Sequence, residues 1–75
     1  MFDRIRVDQA IMAGRPRIAG TRIPVATVVS MVAAGWDVAG ILAEFPQLDA
    51  EAIKQALRFA AAEVETRELP FPTSA

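Results

Sequence analysis

Between Gly14 and Val25 the chain reads Gly-Arg-Pro-Arg-Ile-Ala-Gly-Thr-Arg-Ile-Pro-Val, and no other stretch limits the possible folds so strongly. Two glycines, two prolines and three arginines fall within twelve residues. A residue before proline is pushed out of the α region, so Arg15 is expected to be extended. Ala19-Gly20, set between Ile18 and Thr21, suits a two-residue turn joining two very short strands. The segment is therefore a hinge, with a strand pattern before it and only helical apolar patterns after it. It also carries the densest positive charge on the chain. Two readings stand side by side: a small edge sheet, or an arm whose arginines reach nucleic acid.

Upstream, Arg4-Ile5-Arg6-Val7-Asp8 alternates, with Ile5 and Val7 on one face, the period of a half-buried strand. Asp8 to Ala13 reads as a turn or short helical loop. Downstream, three helices are predicted. Pro24 suits the first helical position, and Val25, Val28, Val29, Val32 and Ala33 form one apolar stripe. Gly35 supplies a left-handed stop, after which Trp36 can fold back onto Met31. Asp37 caps the second helix, whose face is Val38, Ile41, Leu42 and Phe45. Gly40 weakens that helix by about 1 kcal/mol relative to alanine, and Pro46 ends it. Asp49 caps the third, with Glu51 in its first turn and Leu48 stapled onto Ile53. Its stripe is Ile53, Ala56, Leu57, Ala60, Ala61 and Val64. Phe59 lies off that stripe, either as a dimer contact or as core at the margin. The expected class is mainly α, as one domain over residues 1–68: a β arm (1–23), then a three-helix bundle (24–68). Residues 69–75 form an extended C-terminal tail.

With 75 residues and 53% of them apolar, the chain has little volume in which to enclose its apolar surface. It contains neither cysteine nor histidine, so no disulfide supports it and no Cys/His zinc site is available. A homodimer is the expected solution. No signal peptide is visible, and no apolar run approaches the roughly 18 residues of a membrane span, so a cytoplasmic location is expected. The net charge of −1 conceals a polarity. Residues 1–22 set five arginines against two aspartates, while residues 23–75 set three cations against seven acids. Enzyme classes fare poorly: there is no imidazole base or thiolate, and Ser30 and Ser74 have no triad to join. Asp37, Asp49 and Glu51 are accounted for as helix caps and first-turn acids. No cofactor is implied.

A short second helix, a turn containing Pro46 and a longer third helix make a helix-turn-helix pattern. On that reading Lys54, Gln55 and Arg58 face the major groove, Gln55 suited to adenine and Arg58 to guanine or a phosphate. The other reading of the same face is a solvated surface, and Glu51 beside it opposes phosphate. Gly14-Arg15-Pro16-Arg17 resembles the arms with which Hin-type recombinases enter the minor groove beside a helix-turn-helix. Arg15, Arg17 and Arg22 would then contact the DNA backbone or the minor groove.

The run from Gly14 to Val25, followed by Ala34-Gly35-Trp36, Ile41-Leu42 and Phe45-Pro46-Gln47-Leu48, closely resembles the family called "domain of unknown function 433". The resemblance extends from about Arg4 to Val64. It implies a small homeodomain-like or winged-helix-like domain with an N-terminal β arm, usually dimeric, acting as a VapB-like antitoxin beside a PIN-like nuclease toxin. Such antitoxins often insert an arginine into the toxin's acidic metal site, and Arg67 is the nearest candidate here. Leu69 and Phe71, on either side of Pro70, could lie extended in a groove of the toxin; the other reading of the tail is a frayed end. Two departures stand out. Arg15 and Arg17 replace a usual lysine and an uncharged residue, and the second helix lacks an acid common near its start. The expected function is an antitoxin that binds its own operator DNA and neutralises a nuclease. The alternative is a protein-interaction module that regulates a partner and never touches DNA.

Overall fold

The computed structural model describes residues 2–66. Its order is β1 (Ile5–Arg6), a 3₁₀ turn (Met12–Gly14), β2 (Arg17–Ile18), α1 (Val25–Ala33), α2 (Val38–Glu44) and α3 (Ala50–Glu65). The described residues are thus mainly helical, with three helices and a small antiparallel sheet. β1 pairs with β2 in the register Ile5 to Ile18 and Arg6 to Arg17.

The strand pattern read over Arg4–Asp8 shortens to two residues. Ile5 is buried, but Val7 is 55% exposed, because β2 begins only at Arg17 and leaves Val7 nothing to pair with. Asp8 opens a local turn instead, its side chain accepting from the Ala10 N–H at 2.9 Å and its carbonyl from Ile11 at 2.9 Å. The Ala19-Gly20 turn forms, but it joins β2 to an isolated bridge at Pro24 and not to a second strand. The Thr21 N–H donates to the Ile18 carbonyl at 3.1 Å, and Gly20 takes φ +77°, which side-chain-bearing residues adopt only at a cost. Thr21 then ties the turn from within: its hydroxyl donates to the Ile18 carbonyl at 2.8 Å and accepts from the Ile23 N–H at 3.0 Å.

Pro24 sits one residue earlier than expected. It is the extended N-cap residue of α1, with ψ 147°, and bridges back to Arg17. At the far end the Trp36 N–H donates to the Met31 carbonyl and the Gly35 N–H to Val32, both at 3.0 Å, with Gly35 at φ +98°. That pair of bonds is a Schellman stop. Gly35→Ala is expected to cost about 1 kcal/mol through its left-handed backbone, since the space around it is open. A thermal melt should show a fall of about 4–8 °C for a domain of this size.

Both aspartate caps form. Asp37 accepts from the Gly40 N–H and Asp49 from the Ala52 N–H, each at 2.8 Å. Gly40 also has a packing role: a Cβ there would lie 3.4 Å from the Trp36 ring and 3.2 Å from the Asp37 carboxylate. The core joins Ile5, Ile18 and Ile23 of the N-terminal segment to Val28 of α1, Ile41 of α2 and Ile53 of α3. Val38, placed on α2's inner face by its spacing, is exposed. On α3 the buried residues are Ala52, Ile53, Gln55 and Ala56, whereas Ala61 and Val64 are exposed. Length explains this: α3 has 16 residues and α1 has 9, so at 1.5 Å per residue α3 is longer by about 10 Å. Phe59 is half-buried at the margin of the core, its ring edge-on to Phe2 at 5.5 Å and 84°.

Candidate functional site

The basic segment is stitched into the fold on both sides. The Val25 N–H donates to the Pro16 carbonyl at 3.0 Å, the Ile18 N–H to Ile23 at 2.9 Å, and the Ala19 N–H to Arg4 at 2.7 Å. β2 is thus bonded to β1 on one edge and to the approach to α1 on the other. The edge-sheet reading describes this backbone, and the arginines project from a folded hairpin. Their side chains diverge. Arg17 curls back, donating to the Thr21 carbonyl at 3.3 Å, while its Nε is buried without a partner. Arg15 is exposed on the side of α1, near Ala26 and Ser30. Arg22 is exposed just past the turn, with no hydrogen bond or ion pair among the described residues.

On α3 the three residues expected to face a groove also separate. Lys54 is exposed and pairs with Glu51 at 3.7 Å. Arg58 is exposed one turn further along. Gln55 contradicts the expectation of adenine reading. It is 7% exposed, and its amide is committed inside the protein. Its Oε1 accepts from the Arg4 N–H at 2.8 Å, and its Nε2 donates to Asp3 at 2.6 Å and to Glu51 at 2.9 Å. Both amide hydrogens and the oxygen are used, so no edge is left for a base. Gln55 clasps α3 to the residues before β1.

The acids near α3's start serve the same clasp. Hydrogen bonding from Gln55 is the first cause that holds the Asp3 and Glu51 carboxyls below their ordinary values, with Arg4 and Lys54 adding favourable charge. Asp49 is lowered first by the Ala52 N–H and then by Arg4, whose guanidinium meets it at 2.9 Å. This ion pair, far apart in sequence and exposed, has no signature in any local pattern. Of the six candidate nucleic-acid contacts, Lys54, Arg58 and Arg22 are left with outward charge, and Arg15 with a place beside α1.

A second feature has no sequence signal. α1 and the second half of α3 enclose an apolar groove of about 410 Å³, lined by Pro24, Ala26, Val29, Phe59 and Val64, with Arg15 and Glu63 among its lining. Arg67, Leu69 and Phe71, the candidate toxin contacts, lie outside the described residues, as does the rest of the tail. No helix among the described residues is long and apolar enough to cross a membrane.

A family described as "Protein of unknown function (DUF433)" matches residues 5–60, from β1 into the second half of α3. "Uncharacterized protein y4eO" of Sinorhizobium fredii is 46% identical over 52 residues, covering 69% of this chain and 24% of that protein. The chain therefore spans about a quarter of the length of that relative. The crystal structure of a DUF433 member protein from Anabaena variabilis aligns with a TM-score of 0.78 at 32% identity, covering 84% of this chain and 62% of that one.

Proposed function

Because this chain belongs to the DUF433 family, whose description assigns no activity, its function is read from its own geometry, and we propose that it is an antitoxin-type DNA-binding protein. In this reading the three helices form a homeodomain-like or winged-helix-like helix-turn-helix domain that binds its own operator. The same chain neutralises a PIN-like nuclease, with Arg67, Leu69 and Phe71 as the toxin contacts. The observation that carries the DNA half is the sequence of a seven-residue α2, a short connection over residues 45–49, and a sixteen-residue α3. Lys54 and Arg58 stand exposed four residues apart on that last helix, a spacing that puts both cations on one face. Arg22 adds an exposed cation on the hairpin. Gln55 has no part in base reading, so α3 is assigned phosphate contacts and at most one base contact, from Arg58. No catalytic role is proposed for a chain without cysteine or histidine.

A mobility-shift titration on DNA from upstream of the reading frame tests this. Lys54→Ala combined with Arg58→Ala is expected to weaken binding and to reduce the slope of log K against log salt by about two, one unit for each phosphate no longer neutralised. Arg15→Ala with Arg17→Ala tests the arm in the same assay, and an unchanged slope would remove it from the interface. The second reading, an interaction module that never touches DNA, is favoured by Glu51, which partly neutralises Lys54 at the start of α3. No shift at low salt, with or without the nuclease present, would select it.

A further inference from the structure

α1 has the composition of a helix enclosed on every side: Val-Ala-Thr-Val-Val-Ser-Met-Val-Ala, without one charged residue. A helix apolar all round is normally surrounded by protein. Here only Val25 and Val28 are buried, and the wall that α1 gives to the groove leaves Ala26 exposed and Val29 half-covered. On the opposite wall Phe59 and Ala60 are half-buried, and Val64 is 53% exposed. None of the described residues fills this space of about 410 Å³.

We infer that the groove is the docking site of this chain's own segment Leu69-Pro70-Phe71-Pro72, turned back against α1 and α3. Connectivity points to that occupant first. Val64 is a wall of the groove and also the last residue but one of α3, so the chain leaves the helix at the groove's edge. From Phe59 to Val64 the helix advances only about 7.5 Å, whereas the five residues from Arg67 to Phe71 span about 17 Å when extended. A single turn after Thr66 therefore brings Leu69 and Phe71 over the groove. Their pattern fits it. In an extended chain residues two apart share a side, so Leu69 and Phe71 can enter together. The prolines fit as well. Two helices present no strand edge, and a segment laid between them would bury N–H groups without acceptors. Pro70 and Pro72 have no N–H to bury, and they hold the segment extended in advance. A tethered segment also meets its groove at an effective concentration of the order of millimolar, so two apolar side chains suffice where a separate peptide would dissociate. The contact does not rest on the antitoxin reading. Joined to it, the groove competes with the nuclease for Leu69 and Phe71, and the nuclease meets only the fraction of chains in which they have left it.

Nuclear Overhauser spectra of the intact chain test it. Cross-peaks are expected from Leu69 and Phe71 to Val29, Phe59 and Val64, with intensities that do not change on dilution. Leu69→Ser with Phe71→Ser should abolish them and shift the Val29 and Val64 methyl resonances, while the helical circular dichroism stays that of the wild type. The same variant should be cut by trypsin after Arg67 about tenfold faster than the wild type, because cleavage follows the fraction of open chains. Ala26→Glu, at an exposed position on the α1 wall, should speed that cut in the same way. Missing cross-peaks would overturn the proposal, and so would equal cleavage of the wild type and the double serine variant. Cross-peaks that fade on dilution would overturn it too, since the segment would then lie on a second copy. Neither DNA nor nuclease is present in these samples, so failure here is distinguishable from failure of the antitoxin reading.

Discussion

Gln55→Glu is expected to destabilise the domain by about 2–3 kcal/mol at neutral pH, although it changes one atom of a side chain and removes no volume. In the wild type the Gln55 Nε2 stands 2.6 Å from an Asp3 oxygen and 2.9 Å from a Glu51 oxygen, donating to both. A glutamate places a third carboxylate where that donor was. Three carboxylates at such distances cannot all stay ionised, so the group that takes up the charge strain has its folded-state pKa raised. A carboxyl with a raised folded pKa penalises the fold above that pKa, and the penalty disappears once pH falls below its unfolded value. The wild type behaves in the opposite sense. Asp3, Glu51 and Asp49 are all held low, so their contribution is present at neutral pH and is lost as pH falls through the carboxylate range. The stability difference between wild type and variant should therefore shrink steadily on acidification, and urea unfolding at a series of pH values would show it. A difference that stayed constant with pH would mean the three groups do not face one another. Gln55→Leu provides the comparison without a third carboxylate: it removes the Nε2 donor that holds Asp3 and Glu51 low, so that share of its cost also fades on acidification, whereas the loss at Arg4 does not. It leaves the Arg4 N–H without its acceptor and should cost about 1 kcal/mol for that part-buried donor.

Gln55 also marks the boundary of what the sequence can express. The legible features depend on neighbours within a few residues: the caps at Asp37 and Asp49, the stop at Gly35, the turn at Gly20, the break at Pro46. Each is a local bond or a local φ, and its chemistry is written in four or five adjacent letters. Gln55 answers to Asp3 and Arg4, more than fifty positions away. On a helical wheel it looks like one more polar residue beside Lys54 and Arg58, and that resemblance alone groups it with them as a candidate DNA contact. Ala52 gives little signal because its small side chain adds little to an apolar stripe, yet it is among the most enclosed residues of α3. Ala61 and Val64 mislead for the converse reason. Periodicity says which side of a helix is apolar, but not where the body beneath it ends. The exposed side of α1 is hidden in the same way: a stripe of valines announces a core, and only the packed structure shows that none of the described residues covers the other side.

Replacing Ile41 by alanine should have the largest effect of any single truncation in the helical body, about 3 kcal/mol. Ile41 is fully enclosed and is the one buried residue of α2; Leu42 and Phe45 are half-buried beside it and Val38 faces solvent. A domain of this length has a total stability of about 4–11 kcal/mol, so the loss is a large share of it, and the melting temperature should fall by roughly 12–24 °C. Ile41→Val, which removes one methyl group, should cost about 1 kcal/mol and calibrate the site. The form of the transition matters as much as its midpoint. If the three helices unfold together, the urea midpoint drops and the slope is unchanged, because the same surface is exposed. If α2 leaves first, the slope falls and the amides of α2 exchange ahead of those in α1 and α3. The first outcome is expected. Caps and bonds at both ends of α2, from Asp37 to Gly40 and from Phe45 to Leu48, tie it to neighbours that belong to the common core. In that case the helical circular dichroism of the variant should recover fully on cooling below its melting point, since the three helices share one core.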